Sequence, residues 1–151
     1  MYRVMNTINV EIDELIPHRR PLRLIDEILE VDEDSAVTVS TVNQQWPLFA
    51  NGSVNPIVLI ELVAQTALAH RGYTQIKKSA ASVIKKGFLV GVKHADFFID
   101  EIPLHTRIIT RSTTRVLFDN FREISGVARI GADIIGEITL QSLQSESGER
   151  K

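Results

Sequence analysis

The feature that most constrains the fold of this sequence is an apolar helix that carries a single carboxylate. Apolar residues fill almost every position of 57–69, so this helix is expected to be buried over most of its circumference. Asn55 is a good helix cap, and Pro56 suits the first turn, where its missing N–H costs nothing. The polar exceptions within the helix are Glu61, Gln65 and Thr66.

Glu61 is the candidate for chemistry in this helix, and Gln65 lies one turn away on the same face. Burial disfavours the charged form of a carboxyl, so a buried Glu61 would have a raised pKa and could donate a proton near neutral pH. The alternative is a structural acid bonded to Gln65 or to a backbone amide. The loop of residues 46–55 favours the functional interpretation, because it leads into a helix N-terminus, which polarises carbonyls and holds anions.

Composition excludes several function classes. The 151 residues, 44% hydrophobic and 24% charged, predict one globular domain over 1–151. A formal net charge of −2 gives no general attraction to nucleic acid or to an anionic membrane. Cysteine is absent, which excludes disulfides and thiolate catalysis. The sequence has no signal-peptide pattern and no apolar run long enough to span a bilayer, so we expect a cytoplasmic protein. No pair of histidines has the spacing of metal ligands, and we expect neither a metal nor a cofactor.

Strand-like patterns flank the helix. Two runs come before it and four follow it, and a run of consecutive strands favours antiparallel pairing and an α+β class. A helix with little surface for water needs a sheet that curls around it. We therefore predict a long central helix wrapped by a curved antiparallel sheet of about six strands. A short helical turn is predicted at 12–16, before the first strand, and a disordered tail at 144–151. The predicted strands are 22–31, 36–42 (half-buried), 88–97, 106–117, 120–130 and 133–143.

Three segments resemble the β-hydroxyacyl-acyl carrier protein dehydratases, which have the hotdog fold. Residues 16–31 (IPHRRPLRLIDEILEV) are similar to the N-terminal stretch of that family, and residues 60–65 (IELVAQ) are similar to its central-helix motif. Residues 87–93 (GFLVGVK) resemble the strand that closes the acyl tunnel. The Pro-Leu-Phe and the Gly before the helix resemble the dehydratase-like proteins of aryl polyene biosynthesis.

The resemblance implies loss of water from a β-hydroxyacyl thioester, carried by acyl carrier protein or coenzyme A. Glu61 would be the general acid, Gln65 would fix it, and backbone amides near Ile57 and Val58 would polarise the thioester carbonyl. The resemblance also implies a homodimer or higher homo-oligomer, with the strand near 90–97 as the pairing edge. The candidate substrate-binding residues are Trp46, Phe49, Ile57, Val58, Leu59, Leu89, Val90 and Gly91.

One departure from the family pattern keeps other functions open. The family places a catalytic histidine in the loop before the helix, but here no histidine lies between Asn43 and Ala69. Trp46 or Pro47 occupies that position, and neither can act as a base. Three explanations compete: a different base, a different reaction such as that of a hotdog acyl thioesterase, or a non-catalytic module that binds acyl groups or a carrier protein.

Each remaining polar candidate has a structural interpretation as well as a functional one. His18 is interpreted as a capping histidine, with a place at the mouth of the site as the alternative. His70 is expected to be partly exposed, and His94 to lie on a solvated strand face, unless it approaches a site across a dimer interface. Basic residues near the helix end and the N-terminal turn would suit docking of an acidic carrier protein, or would be ordinary surface. They are Arg19, Arg20, Lys77, Lys78, Lys85 and Lys86.

Overall fold

The computed structural model describes residues 11–78 and 87–144, and within them two helices and nine strands. The helices are α1 (Ile12–Leu15) and α2 (Val58–Lys78). The strands are β1 (Glu27–Val31), β2 (Ser35–Thr41), β3 (Phe49–Ala50), β4 (Ser53–Val54), β5 (Gly87–Phe97), β6 (Ile102–Pro103), β7 (Arg107–Phe118), β8 (Phe121–Ile130) and β9 (Asp133–Gln144).

Six strands form one antiparallel sheet in the order β1-β2-β7-β8-β9-β5, and α2 packs against it. The predicted sheet of about six strands around one long helix is confirmed. A second sheet, β3-β4-β6, was not predicted, because strands of two residues are too short to show alternation. Gln144 still belongs to β9, so the predicted disordered tail begins too early, and residues 145–151 lie outside the described residues.

The two N-terminal strands differ from the prediction. β1 begins at Glu27 rather than at residue 22, because the backbone of Leu22 and Leu24 bonds to the side chain of Gln65 instead of joining the sheet. β2 was predicted to be half-buried, yet its residues 35–40 are buried on both faces. Alternation of valine with threonine or serine therefore did not indicate an exposed face, because the hydroxyls of Ser35 and Thr38 are hydrogen-bonded within the protein and can be buried.

The inner face of α2 supplies much of the core. Leu59, Leu62 and Val63 have no exposed side-chain surface. Thr66 is buried as well, and its hydroxyl donates to the Leu62 carbonyl and shares a 2.8 Å hydrogen bond with the hydroxyl of Thr38 on β2. This polar pair ties the helix to the sheet without leaving an unpaired group.

Two glycines allow α2 to lie close to the sheet. A Cβ built on Gly126 of β8 would lie 2.4 Å from both methyl groups of Val63. A Cβ on Gly136 of β9 would lie 2.6 Å from Cδ1 of Leu59, the far end of a longer side chain. Valine is stiff about χ1, whereas the end of a leucine can move, so the two positions differ in tolerance.

Gly126→Ala is expected to reduce the free energy of unfolding by about 1–3 kcal/mol, the usual cost of overpacking a core. Gly136→Ala should cost less, because Leu59 can shift its terminal methyl group. Urea denaturation of both variants beside the wild type measures the difference. An equal or larger loss for Gly136→Ala would show that the Val63 contact does not set the helix-to-sheet distance.

Glu123 on β8 is held by two cations on the outer face of the sheet. Its neighbour Ile124 belongs to the core, so Glu123 points away from α2. Its carboxylate accepts a hydrogen bond of 3.0 Å from Lys93 Nζ and another from Arg115. These hydrogen bonds, that from Lys93 first, hold the pKa of Glu123 below its usual value, although desolvation opposes them.

The lowered pKa of Glu123 predicts a loss of stability in acid. The unfolded chain takes up its proton at a higher pH than the folded chain. The contribution is therefore complete above the unfolded pKa of about 4.3, and it is lost as the pH falls through the lower folded value. The difference in unfolding free energy between wild type and Glu123→Gln should stay constant above about pH 5 and shrink as the pH falls below about 4.3. Urea titrations at each pH measure it, with Glu27→Gln as an exposed control, and a constant difference would contradict the prediction.

Within residues 11–78 and 87–144, no helix is both long enough and apolar enough to cross a membrane.

Candidate active site

Glu61 lies in the first turn of α2, and one of its two carboxylate oxygens is held by neighbouring side chains. Oε2 accepts a 2.8 Å hydrogen bond from Gln65 Nε2 and lies 3.0 Å from Nε2 of His18. No described residue donates a hydrogen bond to Oε1. One oxygen is thus anchored, and the other is available to a ligand.

Gln65 is fixed so firmly that its amide orientation follows from its partners. It is fully buried, and its Oε1 accepts from the Leu24 backbone N–H at 2.8 Å. Its Nε2 donates to the Leu22 carbonyl at 2.9 Å and to Glu61. Because the backbone sets which end is oxygen and which is nitrogen, Gln65 can only present a donor to Glu61. It also holds the N-terminal segment against α2.

His18 was interpreted as a capping histidine, and that interpretation is wrong. Its imidazole faces the carboxylate of Glu61, with 24% of the side chain exposed. Nδ1 is buried without a hydrogen-bond partner among the described residues. Sequence spacing could not reveal this contact, because the N-terminal segment and α2 are far apart along the chain. The only signal was the Pro-His-Arg segment that carried the family resemblance.

The expected burial of Glu61 is also corrected, since 44% of its side chain is exposed. It lies on a face of α2 that the rest of the chain covers only in part. Ile57, which immediately precedes α2 on this side, is 48% exposed, and the apolar residues at helical spacing beyond it are half-buried. We call this face the open stripe; it comprises Ile57, Ile60, Glu61, Ala64 and Leu68.

The backbone amides predicted to polarise a carbonyl are already bonded within the chain. The Ile57 N–H donates to the side chain of Asn55 at 2.9 Å, and the Val58 N–H donates to the Asn55 carbonyl at 3.1 Å. The Leu59 N–H donates to the Pro56 carbonyl. The cap predicted at Asn55 is confirmed, but it uses the donors that the prediction assigned to a ligand. The role predicted for Ile57 and Val58 is therefore wrong.

The other predicted substrate-binding residues divide into three groups. Trp46, Val58 and Leu59 are buried in the core cluster, so their side chains support the site from within. Phe49 is half-buried against that cluster, and a Cβ on Gly91 would meet no atom within 4 Å. Leu89 and Val90 lie on β5, and their side chains are outside the described residues.

Two of the remaining histidines have clear positions. His70 was expected to be partly exposed, but it is buried, with Nε2 3.0 Å from the Asp32 carbonyl oxygen, because the turn between β1 and β2 packs on it. His94 is exposed as expected and contacts Asp96 at 2.6 Å. Its partner residue across the ladder, Thr139, neighbours the core residues Ile138 and Leu140, so His94 faces away from α2. Among the described residues, no cluster of histidine, aspartate and glutamate could hold a metal ion.

The basic residues predicted to suit docking of an acidic carrier protein are largely neutralised at the N-terminal turn. Arg20 pairs with Asp26 at 2.7 Å, and Arg23 pairs with Asp13 at 2.9 Å, with Arg19 3.9 Å from the same carboxylate. Acidic residues that the sequence places nearby thus balance the arginines. The part of the prediction that concerned Lys85 and Lys86 lies outside the described residues.

A long helix held by a six-stranded antiparallel sheet, with an acid on its open stripe, defines the hotdog class. Comparisons with known proteins agree. The model of the ApeP-like family, described as ApeP dehydratase, matches residues 10–143. The chain belongs to the ApeP-like dehydratase family.

Individual relatives are consistent with this assignment. The 3-hydroxyacyl-acyl-carrier-protein dehydratase FabZ of Streptococcus agalactiae is 32% identical over 127 residues, which are 77% of this chain and 86% of the relative. FabZ of Acetivibrio thermocellus is 29% identical over 139 residues, which are 88% of this chain and 88% of the relative. A chain of the dehydratase heterocomplex ApeI:P from Xenorhabdus doucetiae has the same fold, with a TM-score of 0.78, 16% identity, and coverage of 93% of this chain and 94% of that one.

Proposed function

We propose that this protein converts a β-hydroxyacyl thioester into the trans-enoyl thioester and water, with Glu61 as the acid that protonates the leaving hydroxyl. The observation that supports this most is the geometry of Glu61, whose Oε2 is anchored by Gln65 while no described residue donates to Oε1, on a face of α2 whose other residues are apolar. A carboxyl with one fixed and one available oxygen can transfer a proton to a group bound beside it. Membership of a dehydratase family supports the same reaction.

The open stripe suits the acyl part of such a substrate. An acyl chain lying along α2 would remove Ile57, Ile60 and Leu68 from water, and burial of apolar surface favours binding by roughly 25 cal/mol per Å². The hydroxyl-bearing carbon would then lie beside Glu61. Phe49 and Gly91 are proposed to border the substrate, while Trp46 and Leu59 support it from the core. With the amides of Ile57 and Val58 bonded internally, another donor must polarise the thioester carbonyl.

We propose an acyl carrier protein as the preferred carrier, because the FabZ relatives are named for that substrate. Coenzyme A is the alternative carrier. The resemblance to aryl polyene dehydratases, with the ApeP-like match, supports a polyene substrate class. Such a substrate would be apolar along the chain, which suits the apolar residues of the open stripe.

We propose that two subunits associate along β5. This strand forms one edge of the sheet and, within residues 11–78 and 87–144, pairs with β9 alone, so its outer backbone groups can pair with another strand. Val92 is 46% exposed and Phe98 is 57% exposed, which gives this edge an apolar surface. A second copy of this chain is the proposed partner. The heterocomplex structure shows a dehydratase of this fold as a two-component assembly, so sedimentation of the purified chain would distinguish a homodimer from a monomer that awaits a different subunit.

A panel of β-hydroxyacyl and enoyl thioesters tests the reaction. Enoyl absorbance and free thiol are followed in parallel, on both carrier protein and coenzyme A. Absorbance change without thiol release is the expected result. Thiol release alone would show a thioesterase, and binding of acyl thioesters with neither signal would show a non-catalytic module.

A further inference from the structure

Two half-buried arginines lie beyond the end of the open stripe that is farther from Glu61. Arg71 comes three residues after Leu68, so it continues the same side of α2 by one more turn. Arg122 lies on β8, two residues before the core residue Ile124, so its side chain points toward the α2 side of the sheet. The two arginines thus come from different elements, and the alignment of those elements decides whether they meet.

The two glycines that let α2 approach the sheet show how β8 is aligned with the helix. Gly126 lies against Val63, and Gly136, the cross-strand partner of Ala128, lies against Leu59. A step of two residues down β8, from 128 to 126, therefore accompanies a step of four residues up α2, from 59 to 63. Both steps are about 6 to 7 Å long, so β8 and α2 run side by side in opposite directions.

The same alignment brings Arg122 to the level of Arg71. Arg122 lies four residues before Gly126, which is about 13 Å along the strand, and Arg71 lies eight residues after Val63, which is about 12 Å along the helix. The pKa of Arg71 is lowered, first because burial desolvates its charge and second because the positive charge of Arg122 is near. Two cations are therefore neighbours in a partly desolvated place.

Arg122 has donor groups that the described residues do not satisfy. Its Nη1 is buried without a hydrogen-bond partner among those residues, and none of the ion pairs within residues 11–78 and 87–144 includes Arg122. A buried donor without an acceptor is costly, and two like charges side by side repel each other. An anion bound between the guanidinium groups would accept from the donor and offset the repulsion, and the fork of an arginine matches the oxygens of a carboxylate.

The part of the open stripe between Glu61 and the two arginines is apolar. It consists of Ala64 and Leu68, both half-buried. Arg71 comes ten residues after Glu61, so this interval spans about 15 Å along the helix axis. An alkyl or polyene chain suits such a surface. The pantetheine arm of a carrier does not, because its amide groups would lie against apolar side chains without partners.

We propose that Arg71 and Arg122 bind an anionic group, such as a carboxylate, at the far end of the acyl chain, about 15 Å from the reacting carbon. The substrate class is then a β-hydroxyacyl thioester with a charged chain end, rather than a plain fatty acyl chain. This inference rests on the proposed function, because it takes the acyl chain to lie along the open stripe with its hydroxyl-bearing carbon beside Glu61. The arginines determine specificity and take no part in proton transfer.

The preference for one chain end over another tests this inference. β-Hydroxyacyl thioesters of N-acetylcysteamine, an uncharged carrier, are compared with a carboxylate or a methyl group at the chain end, over a series of lengths. In the wild type, the kcat/KM ratio of carboxylate to methyl should exceed one and peak at the length that spans about 15 Å. Arg122→Met should lower the peak ratio about 10- to 100-fold, mainly through KM, because hydrogen bonds to a charged group are lost. A wild-type ratio of one or less at every length would overturn the inference.

Further variants separate recognition of the anion from a structural role. Arg71→Met should lower the ratio as Arg122→Met does, while Arg122→Lys, which keeps the charge, should retain part of the preference. Arg129→Met, at an exposed position on the same strand, is the control and should keep the wild-type ratio. Thermal denaturation shows whether each variant is folded, and Arg122→Gln replaces Arg122→Met if the latter is not. An equal loss of the ratio in Arg129→Met would contradict the inference.

Binding measurements keep this inference distinct from the proposed function. Calorimetry with saturated thioesters that lack the hydroxyl compares the two chain ends without any reaction. If the wild type dehydrates nothing but binds the carboxylate end more tightly, and Arg122→Met abolishes that difference, the proposed reaction has failed and the anion site stands. If it dehydrates both substrates without a preference, only the inference has failed. An effect of Arg122→Met seen with 4′-phosphopantetheine thioesters but not with pantetheine thioesters would assign the arginines to the carrier's phosphate and overturn the inference.

Discussion

Replacing Glu61 with glutamine is expected to lower kcat/KM for dehydration by about 10²- to 10⁴-fold, the usual contribution of a positioned acid or base. The amide has nearly the same shape as the carboxyl, so packing on α2 is preserved. Its oxygen can still accept from Gln65, but the side chain can no longer take up or release the proton. The measurement is the initial rate of enoyl formation over a range of substrate concentrations.

Glu27→Gln is the matched control for this variant, because Glu27 is an exposed carboxylate at the start of β1. It should leave the rate unchanged, as surface substitutions usually do. Both variants should unfold at the temperature of the wild type. Wild-type turnover in Glu61→Gln would remove Glu61 from the reaction and leave the open stripe as a binding surface only.

Replacing Gln65 with leucine is expected to have the largest effect on stability, a loss of about 2–4 kcal/mol in the free energy of unfolding. The buried amide serves the Leu24 N–H, the Leu22 carbonyl and Glu61 at once. Leucine leaves the Leu24 N–H buried without a partner, at a cost of about 1–3 kcal/mol, and it also removes the bonds to the part-buried Leu22 carbonyl and to Glu61. Set against a typical total of about 5–15 kcal/mol, this is a large fraction.

Loss of Gln65 should also impair the site, because the segment that it holds carries His18. Urea denaturation measures stability, and the rate of dehydration below the unfolding transition measures the site. Gln45→Leu, at an exposed loop position, is the control and should shift stability by less than about 0.5 kcal/mol. Equal unfolding midpoints for the two variants would show that the bonds from Gln65 to the N-terminal segment do not stabilise the fold.

Local sequence was sufficient for the long helix and for most of the long strands of this fold. The start of α2 followed from Asn55 and Pro56, because caps act within one helical turn. The long strands followed from their spacing and turn residues, which are also local signals. The two-residue strands were missed because they are too short to show alternation, and β1 was placed too early because Leu22 and Leu24 bond to a side chain of the helix.

The sequence by itself determined that an apolar helix carrying Glu61 and Gln65 would be wrapped by antiparallel strands, because helical spacing, capping and alternation act between near neighbours. Only the tertiary structure decided that His18 faces Glu61, that the amides of Ile57 and Val58 are bonded internally, and that one face of α2 stays partly open. These features depend on how the N-terminal segment docks on the helix. Apolar periodicity tells which residues avoid water, but it does not tell which of them the same chain covers.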